Sequence, residues 1–242
     1  MLNSAWRTLR GLGGDLVDLA YPPACVLCNA PPVGGPVCAD CERELATLPA
    51  AACSRCRLFV PPGGLCPLGH PDLVVRALGL FDGHYQKLLH ALKFHGDLRA
   101  GVWLGRRLGE VLNREGVAQH VAAVAAVPLH KVRLRERGFN QSAVLAREVA
   151  GHLGLPLVSP LVRLRDTPSQ TRLDRAGRTL NVRGAFGATG TPGGSPLLLV
   201  DDVVTTGATL EACAIALRSA GVAQILAVSV ALAEPPALRA AA

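Results

Sequence analysis

Leu197 to Leu210 read LLLVDDVVTTGATL. Four consecutive apolar residues, Leu197 to Val200, have the length and composition of a strand buried on both faces. Asp201 and Asp202 stand at its carboxyl end, and Thr205, Thr206, Gly207, Ala208 and Thr209 form the turn into the next helix. Backbone N–H groups at a helix start suit a phosphate, a glycine permits close approach, and threonine hydroxyls add donors. Adjacent carboxylates accept hydrogen bonds from vicinal sugar hydroxyls. A ribose 5-phosphate satisfies both halves of the stretch at once.

Outward from this stretch, strands and helices alternate. Val121 to Val127 reads as a buried strand, Gln141 to Leu153 as a helix and Leu157 to Leu164 as a strand. Pro196 to Val200 is the central strand, Gly207 to Ala220 a helix, and Gln224 to Ala231 a final strand. This order predicts an α/β fold with a parallel sheet flanked by helices, and ligands in such sheets bind beyond the carboxyl ends of the strands. Between Gly83 and Glu115, Leu88, Leu89, Leu92, Leu98, Val102, Leu108, Val111 and Leu112 recur at spacings of three and four, which predicts two amphipathic helices broken at His95-Gly96. The polar stretch from Arg165 to Asn181 has no apolar period and reads as a long loop.

Seven of the eight cysteines lie between residues 25 and 66, as Cys25-x2-Cys28-x9-Cys38-x2-Cys41 and then Cys53-x2-Cys56-x9-Cys66. The second unit repeats the first at an interval of 28 residues, except that Cys41 maps onto Gly69, with His70 beside it. A C-x-x-C knuckle presents two thiolates on one tight turn, and two knuckles close a tetrahedron about Zn²⁺. The predicted ligands are Cys25, Cys28, Cys38 and Cys41 for one ion and Cys53, Cys56, Cys66 and His70 for another. The remaining cysteine, Cys213, falls in a helical pattern and reads as a core residue. The expected domains are an N-terminal helical segment over residues 1–20, a double zinc ribbon over 21–76 and the α/β domain over 77–242.

Half of the 242 residues are apolar, mostly aliphatic, and only nine are Phe, Tyr or Trp. The longest apolar runs, VAAVAAVPL from Val121 and ILAVSVALA from Ile225, are far shorter than the roughly 18 to 20 residues of a membrane span. Arg7, Arg10, Asp15 and Asp18 interrupt the N-terminal segment, so no integral membrane segment and a cytoplasmic address are expected. Between Lys131 and Arg183 there are eleven Lys and Arg against four acids, an excess equal to the +7 of the whole chain. Concentrated cationic charge points to an anionic partner, phosphates or nucleic acid, with Lys131, Arg133 and Arg135 as candidate nucleic-acid contacts.

The run VDDVVTTGATL resembles the phosphoribosyl pyrophosphate (PRPP) signature of type I phosphoribosyltransferases. From about Tyr21 to Leu232 the chain further resembles the ComF family of competence proteins and its GntX-like relatives. That likeness rests on the Cys-rich head, YQKLLHALKFHGD around Lys93, VPLHKVRLRERGFNQS from Val127, TPSQTRLDRAGRTLNVRGAF from Thr167, and the PRPP signature. It implies a type I phosphoribosyltransferase-like domain behind an N-terminal zinc-ribbon head. It also implies that Asp201 and Asp202 hold the ribose hydroxyls, that Thr205 to Thr209 hold the 5-phosphate, and that Arg137 and Gly138 receive pyrophosphate, with Mg²⁺ accompanying PRPP. The departure is at the second ribbon, where C-x3-His stands for the second C-x-x-C.

Two functions follow from the resemblance. As a protein of natural transformation, the chain would handle single-stranded DNA during uptake, on the cytoplasmic side or at the inner membrane face through a partner helicase or channel. As a salvage phosphoribosyltransferase it would use Asp201, Asp202 and Arg137 as its catalytic set and join a nucleobase to PRPP. Lys93, Arg165, Gln170, Arg172, Arg178 and Asn181 are candidates for closing over a bound diphosphate. The histidines other than His70 form no ligand spacing with a cysteine pair.

Overall fold

The computed structural model describes residues 24–32, 34–48, 50–60, 64–70, 73–165, 184–190 and 194–234. The expected segment 1–20 and the candidates Gln170, Arg172, Arg178 and Asn181 lie outside them. The chain divides after Leu45 into two units. The first holds the Cys25 to Cys41 cluster and a short helix, α1 (Ala39–Glu44). Its knuckle is closed by backbone bonds from Asn29 N to Cys25 O and from Cys25 N to Ala30 O, both 2.8 Å.

The second unit is built on a six-stranded sheet. Its strands are β1 (Ala52–Cys53), β2 (Val74–Leu80), β3 (Ala123–Ala126), β4 (Leu157–Val158), β7 (Leu197–Val204) and β8 (Ile225–Leu232). The order is β1-β2-β8-β7-β3-β4, parallel throughout except for the antiparallel β1–β2 pair. The chain leaves β3 toward β4 on one side and leaves β7 toward β8 on the other. The crevice at which these connections diverge therefore lies between β3 and β7, the place where parallel sheets bind ligands.

The helices fall close to the predicted bounds: α2 (Gly83–His95), α3 (Leu98–Arg114), α5 (Gln141–Leu153) and α6 (Ala208–Ser219). Gly96, at φ 65°, ends α2, and Asp97 then caps α3 by accepting from Arg99 N at 3.0 Å. A further short helix, α4 (Lys131–Arg137), forms where the sequence shows no clear period. Leu88, Leu89, Leu92, Leu104, Leu108 and Leu112 are fully buried, whereas Leu98, in the first turn of α3, is exposed. Helices α3 and α5 approach closely because glycines recur on the facing side of α3. A Cβ on Gly105 would lie 2.7 Å from Glu148 Cβ, and one on Gly109 2.7 Å from His152 Cβ.

Three strands differ from expectation. The apolar periodicity leaves Val74–Leu80 unassigned, yet it forms β2 and pairs in parallel with β8 from Val75↔Ala227 to Leu80↔Leu232. The expected strand Leu157 to Leu164 is two strands. Pro160, which has no N–H to donate, separates β4 from β5 (Leu161–Arg163), and β5 pairs with β6 (Phe186–Ala188) in a separate antiparallel ribbon. The central strand runs on past Val200 to Val204, because β8 continues to pair with it at Asp201↔Ser229 and Val204↔Leu232. On its other side β3 stops at Ala126↔Val200. Asp201 and Asp202 thus begin the stretch of β7 that β3 no longer covers.

Candidate functional site

A cavity of about 300 Å³ opens at this uncovered stretch. Its floor is Asp201, Asp202 and Val203; Val127 to Leu129 and Asn140 to Ser142 form one wall, and Thr205 and Thr209 another. Asn140 ties the wall together: its Oδ1 accepts from Ser142 N at 3.1 Å to cap α5, and its Nδ2 donates to the Val127 carbonyl at 3.0 Å.

The two carboxylates are buried, at 7% and 5% exposure, and are held differently. Asp201 Oδ1 accepts from Ser142 Oγ at 3.0 Å and from Asp202 N at 2.9 Å. Asp202 Oδ1 accepts from Val203 N at 2.9 Å, and its Oδ2 is ion-paired with Lys93 Nζ of α2. Burial, followed by the neighbouring charge of Asp202, pushes the Asp201 carboxyl up to about 7 against the opposing pull of the Asp202 N–H, Lys93 and Ser142. Lys93 thus belongs to the floor of the cavity, which Arg163 of β5 also lines.

The turn after β7 has the predicted form. Gly207, at φ 77°, precedes the first residue of α6, Thr206 Oγ1 accepts from Ala208 N at 3.4 Å, and Glu211 N returns to the Gly207 carbonyl at 2.9 Å. Asp201 and residues Val203 to Leu210 line a small recess of about 30 Å³ at this turn. Non-glycine residues occupy positive φ only with steric cost, so this position calls for glycine.

Arg137 and Gly138 close α4 and are not among the residues lining the cavity. Arg137 reaches it through one neighbour, its Nη1 donating to Gln141 Oε1 at 2.5 Å. Lys131 and Arg135 are exposed on α4; Arg133 is ion-paired with Glu136 at 3.0 Å in the same helix. Arg165 is described but does not line the cavity. The sequence reading omitted Ser142, Asn140 and Gln141, although a polar residue preceding a helix is a cap signal. It also omitted Phe81, His90 and Phe94, which line the mouth of the cavity as a ring cluster. His90 and Phe94 meet edge to face at 5.2 Å, Phe81 and His90 lie 6.5 Å apart, and Phe94 is 68% exposed.

None of the eight cysteines is in a disulfide. In each cluster the four candidate ligand atoms lie within 4.8 Å of one another. Tetrahedral Zn–S bonds of about 2.3 Å place sulfurs about 3.8 Å apart. Cys28 and Cys38 Sγ are 3.6 Å apart, Cys56 and Cys66 Sγ 3.5 Å, and His70 Nδ1 lies 3.4 Å from Cys66 Sγ and 3.8 Å from Cys53 Sγ. Both donor sets fit zinc. Burial raises Cys25 and Cys66, but backbone N–H groups aimed at their sulfurs outweigh it and hold each thiol at about 6, whereas burial pushes Cys56 up to about 11 and the neighbouring Cys28 raises Cys41. A bound cation is what lets all four groups of a cluster act as ligands together. Cys213 is buried in the core, and burial raises its thiol.

Residues 16–68 match the double zinc ribbon domain family, and residues 139–239 match the phosphoribosyl transferase domain family. The chain is 32% identical over 219 residues to the DNA utilization protein YhgH of Escherichia coli strain K12, covering 86% of this chain and 96% of that protein. It is 28% identical over 204 residues to Competence protein F of Haemophilus influenzae, covering 78% and 87% respectively. It is 27% identical over 197 residues to Competence protein ComFC of Bacillus subtilis, covering 81% and 72%. A zinc-ribbon head, a phosphoribosyltransferase-like α/β unit and near full-length similarity together assign this chain to the family of Competence protein F, ComFC and the DNA utilization protein YhgH.

Proposed function

We propose that this protein acts in the cytoplasm in the uptake and use of DNA, handling single-stranded DNA while its phosphoribosyltransferase-like pocket binds PRPP or a related ribose 5-phosphate compound. The observation that carries the pocket reading is that Asp201 and Asp202 share one cavity with Thr205 and Thr209, the two ends of the turn, while Asp201 also lines the adjoining recess formed by the whole turn. The carboxylates accept from the ribose hydroxyls, the turn's N–H groups and hydroxyls take the 5-phosphate, and the Arg137–Gly138 corner receives the diphosphate through its link to Gln141. Among the described residues Asp201 and Asp202 are the only carboxylates lining the cavity, one engaged by Ser142 and the other by Lys93. Those two acids fit a magnesium ion that arrives on the diphosphate better than one held by protein ligands alone. Bound in that way, magnesium neutralises phosphate charge. Lys131, Arg133 and Arg135 contact DNA phosphates, and a helicase or channel of the uptake machinery is the partner that delivers the strand.

The ring cluster of Phe81, His90 and Phe94 favours a second reading, transfer of the phosphoribosyl group to a nucleobase, since a planar base stacks on aromatic faces. Titration of the zinc-loaded protein with PRPP and with labelled single-stranded DNA, with PRPP turnover followed in parallel, separates the two. Binding of both ligands without turnover supports the DNA role. Rapid pyrophosphate release dependent on one particular base, with no DNA binding at physiological salt, supports the transferase.

A further inference from the structure

The second cysteine knuckle packs against the turn assigned to the 5-phosphate. Ser54 lies between Cys53 and Cys56, and its backbone carbonyl sits so close to Gly207 that a Cβ there would lie 2.4 Å from the oxygen. Arg55 is ion-paired with Glu211 in the first turn of α6 at 3.7 Å. Arg57, the residue after Cys56, is buried at 8% exposure; its Nε donates to the Glu234 carbonyl at 3.2 Å and its Nη1 to the Thr205 carbonyl. Guanidinium and backbone thus reach the turn at Thr205 and Gly207, and the ion pair reaches the helix it opens at Glu211.

Arg57 occupies its position at a steric cost. Among the described residues, Asn29 and Arg57 are the non-glycine residues at positive φ, both at 64°. They are equivalent in the 28-residue repeat, each following the second cysteine of its knuckle. Asparagine tolerates this left-handed conformation well and arginine does not. The knuckle therefore needs only the backbone shape, and the arginine side chain answers to something else, namely the carbonyl at the end of β7.

We propose that Arg57 is a positioning residue for the Thr205 to Thr209 turn, so that the second metal knuckle fixes the conformation in which the turn's N–H groups meet a 5-phosphate. A guanidinium holding the Thr205 carbonyl occupies an oxygen that would otherwise repel an incoming anion, while the close approach of the Ser54 carbonyl restrains Gly207. The assignment rests on the ribose 5-phosphate reading for its ligand but not for its geometry, and the test separates them.

The test uses the full-length, zinc-loaded protein and its Arg57→Asn variant, which carries the residue that the repeat places at the same backbone conformation. Zinc content and melting temperature are measured, PRPP and ribose 5-phosphate binding are followed by calorimetry, and amide hydrogen exchange is read across residues 205–210 without ligand. The expected result is unchanged zinc, faster exchange in the turn and PRPP affinity lower by about 10-fold, with Arg57→Lys intermediate because the compact ammonium lacks the planar fork that spans the Glu234 and Thr205 carbonyls. Exchange and affinity equal to those of the parent protein would overturn the proposal. Loss of zinc in Arg57→Asn would overturn it too, because the side chain would then belong to the knuckle. If the parent protein binds neither ligand, the ribose 5-phosphate reading falls, while the exchange comparison still decides whether Arg57 holds the turn.

Discussion

Asp201 concentrates the cost of the site in one residue. Its carboxyl titrates at about 7 in the folded protein, against about 3.9 in an unfolded chain. The folded state therefore holds a proton more tightly than the unfolded state between these values. The stability this contributes is complete below pH 4 and is lost as pH rises through 7. The melting temperature of the ligand-free protein should fall between pH 5 and pH 8, and Asp201→Asn, which cannot ionise, should flatten that fall and melt higher at pH 8. The same change should damage binding. With Asp201 and Asp202 both replaced by Asn, PRPP affinity should drop about 10 to 100-fold if each lost charged hydrogen bond is worth roughly 1 to 2 kcal/mol. A calorimetric titration of the double variant that matches the parent protein would remove the role assigned to these acids. The two carboxylates were legible in the sequence because they lie side by side, directly after the strand. Their partners were not: Lys93 and Ser142 stand far from them along the chain and meet them only through the fold.

At the scale of elements, the glycines of α3 set how near α5 can come. Gly105→Ala would place a methyl 2.7 Å from Glu148 Cβ and 3.1 Å from the Leu145 carbonyl, so the two helices must part, at a cost of about 1 to 3 kcal/mol. Gly151 on the exposed side of α5 has nothing within 4 Å of its Cβ direction, and Gly151→Ala should stabilise by up to about 1 kcal/mol through helix propensity alone. Urea midpoints should move in opposite directions for the two variants. The cysteine clusters allow a sharper measurement. Purified protein should carry close to two zinc ions per chain, and His70→Ala should release one of them preferentially. A ratio of one that His70→Ala leaves unchanged would eliminate the site formed by Cys53, Cys56, Cys66 and His70. Helix bounds and the clustering of the cysteines with His70 were readable because both depend on spacing within one segment. Strand β2 was not, since VVRALGL alternates poorly and gains its identity from the neighbouring β8.

For the whole molecule, the cationic excess between Lys131 and Arg183 sets the expected response to salt. Binding of single-stranded DNA should weaken with a log–log slope of about −0.7 per phosphate neutralised, near −3 for four or five contacts, and show little base preference. Charge reversal at Arg133 and Arg135 should flatten the slope and leave PRPP affinity unchanged. A slope near zero, or one that the double reversal leaves intact, would remove α4 from the DNA contact. By itself the sequence determined the two clusters of candidate metal ligands, the acidic pair with its threonine-rich turn, and the alternation of strands and helices. Each is written in neighbouring residues, and a tight turn or a helical repeat needs no distant partner. Tertiary structure alone decided that β3 stops where Asp201 begins, that Lys93 neutralises Asp202, that Ser142 holds Asp201, and that Arg57 reaches the Thr205 carbonyl. Those contacts join residues dozens to well over a hundred positions apart, and strand order and register, fixed by burying the whole core at once, bring them together.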